Sequence, residues 1–442
     1  MIRVGLYTLG CKVSQYETEA IAEAFEREGA TVFPFDETND VYLINTCTVT
    51  AESDRKCRQF IRRAIKKNPD AVVAVVGCYS QRSPSEVAGI AGVDIVIGTQ
   101  DKLRAVPLSL EALAKKRAGE AFSQYVSVSD VTTADFEPMT ITRAPRARAY
   151  VKIEDGCESR CTYCAISAAR GRVRSKAPED VISEVEALSR TGVKEIVLTG
   201  IETGSYGRDF DKKYTLADLI CELDRRGSCK RLRLGSLAPE LIGADFVEAV
   251  KGVKILAPHF HLSIQSGSDS VLCRMKRRYT SARAIENIER LRAAFPRAAF
   301  TTDMMVGFPG ETEEDFLQSA EFAKRVGFID MHVFAYSKRA GTPAADYPDQ
   351  VPEQIKRERS ERMIALRDEI RDRVLSDIVS LGEVLSCVAE TRLEGGSYTA
   401  HSDSFAEIRF DSGDCPLDLR GELVNVIPVS HNGGIIYGKL VM

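Results

Sequence analysis

Cys157, Cys161 and Cys164, in the run IEDGCESRCTYCAI, have the type and spacing to hold a metal cluster. Three thiolates at Cys-x3-Cys-x2-Cys can take three corners of a four-iron cubane, whereas a fully protein-ligated cubane takes four cysteines. The next cysteine is Cys221. One iron is therefore left open to a small molecule, the arrangement in which S-adenosylmethionine (SAM) is bound and cleaved to a radical. A zinc site would want a second Cys or His pair at short range. A ferredoxin run would use x2 spacings and a Cys-Pro. Neither is present.

A second group of thiols is scattered in sequence. Cys11, Cys47 and Cys78 each follow a predicted strand almost at once, in LYTLGC, YLINTC and VAVVGC. In a parallel sheet the carboxyl ends of the strands share one edge, where ligands bind. Three thiols on that edge can converge on one metal site and again leave an open coordination position. As isolated residues they would be ordinary small core hydrophobes. Cys57, inside a basic helix pattern, is incidental.

The elements that must position these thiols follow from the apolar pattern. Runs at 2–8, 41–45, 72–76 and 94–97 read as buried parallel strands, separated by helical patterns at about 15–28, 51–67 and 83–90. This is an open α/β sheet over residues 1–125. The segment 126–147 lacks periodicity and reads as a linker. A second alternating block, with strand candidates at 150–154, 195–199, 231–235, 260–265, 299–306 and 331–336, predicts a partial (βα)6 barrel over 143–375, short of the eight units of a TIM barrel. A long charged helix pattern at 352–379 leads to short strands and Gly-rich turns, which predict a small OB-like β-barrel over 377–442.

The 442 residues suggest two to four domains, and 44% hydrophobic content is that of an ordinary globular chain. No apolar run approaches a membrane span, and the start MIRVGLYTLGCK has no signal-peptide pattern. Twelve cysteines without an export signal predict a reducing, cytoplasmic setting and metal binding rather than disulfides. Net charge is −4, so the chain as a whole does not advertise nucleic-acid binding. Three local basic runs could still form a polyanion-binding face: 55–67 with seven Lys/Arg, then Arg170, Arg172, Arg174 and Lys176, then Arg274, Lys276, Arg277 and Arg278.

With both triads in hand, the sequence resembles the radical-SAM methylthiotransferases over nearly its whole length. TLGCKVSQYETE, LINTCTVT and VVGCYSQ look like the auxiliary-cluster motifs. KIEDGCESRCTYC, LTGIETGSYG, LRLGSLAPE, HFHLSIQSGSD, MKRRYT and MMVGFPGETEEDF match the radical-SAM core, and GGSYTAHSDSFAEI looks like the strand pair of a TRAM domain. Branches of the family act on isopentenyladenosine in tRNA, on threonylcarbamoyladenosine in tRNA, and on an aspartate of a ribosomal protein. TLGCKVSQYETE, HFHLSIQSGSD and VFAYSKRAGTPAADYPDQVP look most like the threonylcarbamoyladenosine branch; Ser263 stands where the isopentenyladenosine branch more usually has Pro. Ser14, the stretch Ser167-Ala168-Ala169 and Ala335 depart from the usual pattern without removing a cluster ligand.

The resemblance implies two [4Fe–4S] clusters and SAM. Cys157, Cys161 and Cys164 would hold the catalytic cluster, where SAM yields a 5′-deoxyadenosyl radical. Cys11, Cys47 and Cys78 would hold the cluster that carries sulfur, methylated by a second SAM. The methylthio group would be inserted at C2 of an adenine in the anticodon loop, a carbon with no acidic proton. Tyr163 would pack near the adenine of SAM. Thr199, Glu202, Ser236, Gln265 and Asp303, strand-end polar groups at the barrel mouth, are candidates to orient it. The implied partners are the anticodon stem-loop of tRNA and an electron donor such as flavodoxin or ferredoxin, with the enzyme a monomer away from any membrane. From Asp377 onward there are four Lys/Arg against ten Asp/Glu, so this TRAM region should repel phosphate. His259, His261, His332, His401 and His431 read as isolated structural or surface groups. The rival from another class is a non-catalytic iron–sulfur RNA-binding regulator, which would leave LTGIETGSYG unexplained.

Overall fold

Continuous apolar runs build an open, all-parallel sheet in the first part of the chain. The computed structural model describes residues 1–441 apart from 414 and 416; these two and 442, within the barrel expected over 377–442, lie outside the described residues. Strands β1 (Ile2–Thr8), β2 (Ala30–Phe33), β3 (Val41–Thr46), β4 (Val72–Gly77), β5 (Ile95–Ile97) and β6 (Tyr125–Ser127) take the order β2-β1-β3-β4-β5-β6. Helices α1 (Lys12–Arg27), α2 (Ala51–Lys67), α3 (Cys78–Arg82), α4 (Pro84–Ala88) and α5 (Ala105–Arg117) connect them. Both sheet faces are covered, so alternate residues feed different cores. Val41 and Leu43 pack with Phe25 and Leu113, while Tyr42 and Ile44 pack with Ile61 and Val87.

The sequence reading omits β2, β6, α5 and the one-turn α3. The two strands lie at the sheet edges and are only four and three residues long. In α5, Pro107 reads as a breaker, yet it falls in the first turn, where its missing N–H is not needed.

Packing divides the chain into two compact units. The first comprises 1–141, 154–176 and 337–345; the second comprises 142–153, 177–336 and 346–442. The segment 154–176, with the Cys157 triad, thus packs with the N-terminal sheet. It contains β8 (Glu154–Asp155), α6 (Ile166–Arg170) and β9 (Arg174–Ser175).

The second unit holds the barrel strands, all paired in parallel. β7 (Arg148–Lys152), β10 (Glu195–Thr199) and β11 (Arg231–Leu234) form one sheet in the order β11-β10-β7. β12 (Ser236–Leu237), β13 (His259–Gln265), β14 (Ala299–Val306) and β15 (Asp330–Ala335) follow in sequence in another. The chain passes between sheets at Gly235, where a Cβ would lie 2.9 Å from the Leu198 carbonyl oxygen. Helices α7 (Pro178–Arg190), α8 (Leu216–Arg226), α9 (Ala244–Val250), α10 (Asp269–Arg274), α11 (Ser281–Ala294) and α12 (Glu313–Val326) connect the strands.

The long helix α13 (Glu353–Leu381) ends at Gly382 in the left-handed region (φ 63°). It contributes Leu375 to the core of a closed five-stranded barrel, ordered β16-β17-β18-β20-β19. Those strands are β16 (Leu385–Arg392), β17 (Ser397–Ser402), β18 (Glu407–Asp411), β19 (Leu423–Asn432) and β20 (Ile435–Val441). The described architecture is the one expected: a parallel sheet, an incomplete parallel barrel and a small closed β-barrel.

Candidate functional site

β1, β3 and β4 are neighbours in the sheet, and each delivers one thiol at its carboxyl end. Thr46 pairs with Gly77, so Cys47 and Cys78, each one residue further, leave adjacent strands side by side. Cys11 follows β1 by three residues and caps the N-terminus of α1. The chain leaves β1 toward β2 on one side and returns to β3 on the other, so the thiols flank the switch point where open α/β sheets bind ligands. Cys11 is exposed, while Cys47 and Cys78 are buried. Burial pushes the Cys78 thiol up to about 11, against the pull of Arg170. Burial also raises Cys47, with the Cys11 charge adding to the rise. Thiolates there need a compensating cation.

The other triad sits on an irregular loop closed by a short antiparallel hairpin, in which Glu154 pairs with Ser175 and Asp155 with Arg174. The Cys157 N–H donates to the Gly171 carbonyl (3.0 Å) and the Cys164 N–H to the Cys161 carbonyl (3.0 Å). Gly156 has φ 86°, and a Cβ there would lie 1.8 Å from the Arg172 carbonyl oxygen. Only glycine fits this entry to the loop. Cys157 and Cys164 are half-buried and Cys161 is buried. The Ile166 N–H points at the Cys164 sulfur (3.4 Å).

Arg170 connects the two groups. It lies on α6 just after the Cys157 loop, is fully buried, and donates Nε–H to the Cys78 sulfur at 3.3 Å. Its Nη1 reaches Glu17 Oε1 (2.7 Å) and Asp155 Oδ2 (3.0 Å). Glu17, also fully buried, lies 3.4 Å from Lys102 Nζ, which is 2.6 Å from Glu137. On α3, Arg82 donates to the Ala340 carbonyl (2.6 Å). Arg339 donates to Thr48 (2.7 Å) and Asp54 (2.6 Å), fixing the turn after Cys47. Sequence reasoning missed Glu17 and Arg339 altogether, and placed Arg170 in a basic run. The Arg170-Gly171 pair closing the thiol motif was the available signal.

That second basic run needs correction as part of a polyanion-binding face. Arg170, Arg174 and Lys176 are buried, and only Arg172 reaches solvent. Arg174 donates to the carbonyls of Arg170 (2.7 Å) and Val131 (3.3 Å), and Lys176 to that of Met139 (2.9 Å). These cations hold the loop from within.

Of the residues expected to orient SAM, Tyr163 belongs to the first unit, half-buried on the thiol loop; the other five belong to the second. Thr199 ends β10, and its carbonyl accepts from Ile153 N–H (2.9 Å). Ser236 opens β12, paired with His261. Gln265 ends β13 with φ 69°. A non-glycine residue in that region is strained and must be held there by the structure around it. Asp303 lies in the middle of β14 rather than at its end. It accepts from His261 Nε2 (3.4 Å) and His332 Nδ1 (3.2 Å), and Thr301 Oγ1 is 2.9 Å from both His259 Nε2 and His261 Nδ1. The three histidines are therefore wired together, a correction to reading them as isolated groups. Burial would raise the Asp303 carboxyl, but the two histidine bonds outweigh it and hold it well below the usual range.

Glu202 is buried after β10 and accepts from Ala238 N–H (2.9 Å). Burial pushes its carboxyl from 4.5 up to about 7. A carboxyl raised on folding stabilises fully below its unfolded value, and that contribution is lost as pH rises through the folded value. The loss is about 3 kcal/mol between pH ~4.5 and ~7. Glu202→Gln is expected to flatten the fall in thermal stability over that window. Melting curves of parent and variant that run parallel with pH would refute it.

Among the described residues no three His, Cys, Asp or Glu side chains close around a single ion. A cubane takes one thiolate at each of separate irons, so its sulfurs stand wider apart. The donor types fit such clusters: three thiols in each set, with N–H donors aimed at sulfur from Ile166, Arg170 and, at 3.5 Å, Val49 to Cys47.

A model of the radical SAM superfamily matches residues 151–323, and one of the uncharacterized protein family UPF0004 matches residues 3–98. The fold is shared with the radical S-adenosylmethionine methyltransferase TsrM from Kitasatospora setae (TM-score 0.55, 17% identity, 78% of this chain and 77% of that one). Fold and thiol loop define a radical-SAM enzyme, a class that works with SAM and a [4Fe–4S] cluster. The threonylcarbamoyladenosine tRNA methylthiotransferase MtaB of Bacillus subtilis is 42% identical over 96% of this chain and 93% of its own. The protein of the same description from Thermotoga maritima is 38% identical over 84% and 82%. A tRNA-2-methylthio-N(6)-dimethylallyladenosine synthase from Thermoanaerobacter pseudethanolicus is 33% identical over 98% and 92%. The chain belongs to the radical-SAM methylthiotransferase family, on the threonylcarbamoyladenosine tRNA branch.

Proposed function

We propose that this enzyme inserts a methylthio group at C2 of N6-threonylcarbamoyladenosine, beside the anticodon of tRNA. The observation that supports it best is the packing of both thiol triads in one compact unit, with Arg170 joining the Cys157 loop to Cys78. Radical generation at one triad and sulfur delivery at the other must act on the same adenine. Relatives named for threonylcarbamoyladenosine are 37–42% identical, against 32–34% for relatives named for dimethylallyladenosine.

In this reading Cys157, Cys161 and Cys164 hold one [4Fe–4S] cluster, and Cys11, Cys47 and Cys78 hold a second. When bound, the clusters and SAM supply the radical and the methylated sulfur. The chain supplies position and electrostatics. The hairpin at Glu154–Ser175 fixes the first thiol loop. Adjacent strand ends set the spacing of Cys47 and Cys78, and Arg170 compensates negative charge at the Cys78 sulfur. Tyr163, Thr199, Glu202, Ser236 and Gln265 are proposed to bind SAM. Asp303, held mid-strand by His261 and His332, is proposed to orient SAM together with that histidine array. The enzyme acts as a monomer in the cytoplasm, reduced by a flavodoxin- or ferredoxin-like protein. Among the described residues no helix is long and apolar enough to cross a membrane.

Mass spectrometry of tRNA nucleosides from a deletion strain without a second copy of the gene tests this. Loss of the methylthio group from threonylcarbamoyladenosine alone is expected. Loss from isopentenyladenosine instead would reassign the substrate.

A further inference from the structure

Three basic runs could have met a polyanion, and burial removes most of the second. In the third, Arg274 is paired with Asp315, and Arg277 donates to the Ser263 carbonyl and lies over the Tyr279 ring. The run on α2 is different. Cys57, Ile61 and Ala64 face the core, while Arg55, Lys56, Arg62, Arg63, Lys66 and Lys67 are exposed. Arg55 is paired with Glu52 and Arg63 with Asp36. Arg58 reaches Glu86 and the Tyr79 hydroxyl, both at 2.9 Å. Arg62, Lys66 and Lys67 have no ion pair or hydrogen bond among the described residues.

These cations border a groove. Arg58, Arg62 and Lys66, four residues apart on one face of α2, line a cleft of about 540 Å³ whose opposite wall includes Ser85, Glu86 and Gly89. Glu86, its carboxylate, is already engaged by Arg58. Four residues of helix rise ~6 Å, on the scale of successive phosphates along a nucleic-acid strand. α2 starts four residues after Cys47, so Arg62 to Lys67 lie roughly 16–24 Å along the helix from the thiol edge.

We infer that the Arg58–Lys67 face of α2 is the docking surface for the sugar–phosphate backbone of the RNA stem that carries the reactive base. The inference rests on the tRNA reading above and gives it a location. Phosphate contacts position a nucleic acid without reading sequence, which suits an enzyme that must hold a stem while a splayed base reaches the chemistry. An acidic protein partner is the other occupant such charge would suit. Protein interfaces deplete Lys at their centres and enrich aromatic residues, whereas this face carries Lys56, Lys66 and Lys67. The acidic C-terminal barrel, net −6 from residue 377 onward, cannot supply the same attraction.

The test is the full-length, anaerobically reconstituted enzyme carrying Arg62→Gln, Lys66→Gln and Lys67→Gln, which keep helix propensity. The probe is a synthetic anticodon stem-loop RNA, titrated at several salt concentrations. Affinity is expected to fall at least tenfold, and the slope of log affinity against log salt to shrink by about 2 to 3, one for each phosphate these cations neutralise. Iron content and melting temperature, expected to match the parent, report on folding. Parent-like affinity and slope would overturn the inference while leaving the tRNA reading intact. Failure of the parent itself to bind the stem-loop would sink both. Unchanged RNA binding with slowed reduction by flavodoxin would also overturn it, assigning the face to an acidic reductant.

Discussion

Cys11→Ala is expected to retain reductive SAM cleavage, to lose the methylthiolated product completely, and to drop from about eight irons per chain to about four. Cys11 is the member of its triad best suited to this separation. It is exposed and makes no side-chain capping bond at the start of α1, so its loss costs little folding energy. Cys47 is buried and its carbonyl accepts from the Cys57 thiol at 3.4 Å. Cys78 is held by Arg170. Substitution at either would disturb packing as well as ligation. Iron analysis, 5′-deoxyadenosine formation and nucleoside mass spectrometry on one preparation read the three outcomes. Surviving product would remove the sulfur-carrying role from this triad. Loss of SAM cleavage would show that the two triads do not work as separate sites.

That prediction can be framed from the sequence, because strand ends are legible there. VYLINT and VVAVVG are buried throughout, and such runs read as parallel strands whose carboxyl ends share an edge. Adjacency of β1, β3 and β4 is not legible, since strand order depends on crossovers that leave little trace in local pattern. Nor is the fate of the Arg170–Lys176 run. Charge in sequence says nothing about burial; Arg170 and Arg174 go inside because Glu17 and Asp155, far apart in the chain, meet them there, and Lys176 because it donates to the Met139 carbonyl. The apolar run 299–306 already puts Asp303 mid-strand, so the strand-end reading conflicts with the pattern itself, and the direction of its side chain is not legible there. Its histidine partners come from β13 and β15, a juxtaposition only register provides.

Arg170→Met is expected to fail in two separable ways. Removing the guanidinium takes the nearest cation from the buried carboxylates of Glu17 and Asp155, leaving them Lys102 at 3.4 Å and Arg174 at 3.6 Å, and breaking one side of a buried charge network costs up to about 3–5 kcal/mol. The melting temperature should fall by on the order of 10 °C. The substitution also removes the Nε–H donor to the Cys78 sulfur, and hydrogen bonds to cluster sulfurs set reduction potential. The midpoint potential of the Cys11–Cys47–Cys78 site, followed by potentiometric electron paramagnetic resonance, should move downward while that of the Cys157 site stays in place. A second change tells these effects apart. Glu17→Gln added to Arg170→Met neutralises one of these carboxylates, and Lys102 keeps its bond to Glu137 (2.6 Å). Much of the lost stability should return in the double variant, but the lowered potential and the loss of product should persist, because the introduced amide puts no donor in the place of Nε. A double variant that recovered potential and product along with stability would make Arg170 a scaffold residue only, and the contact at Cys78 incidental to sulfur delivery.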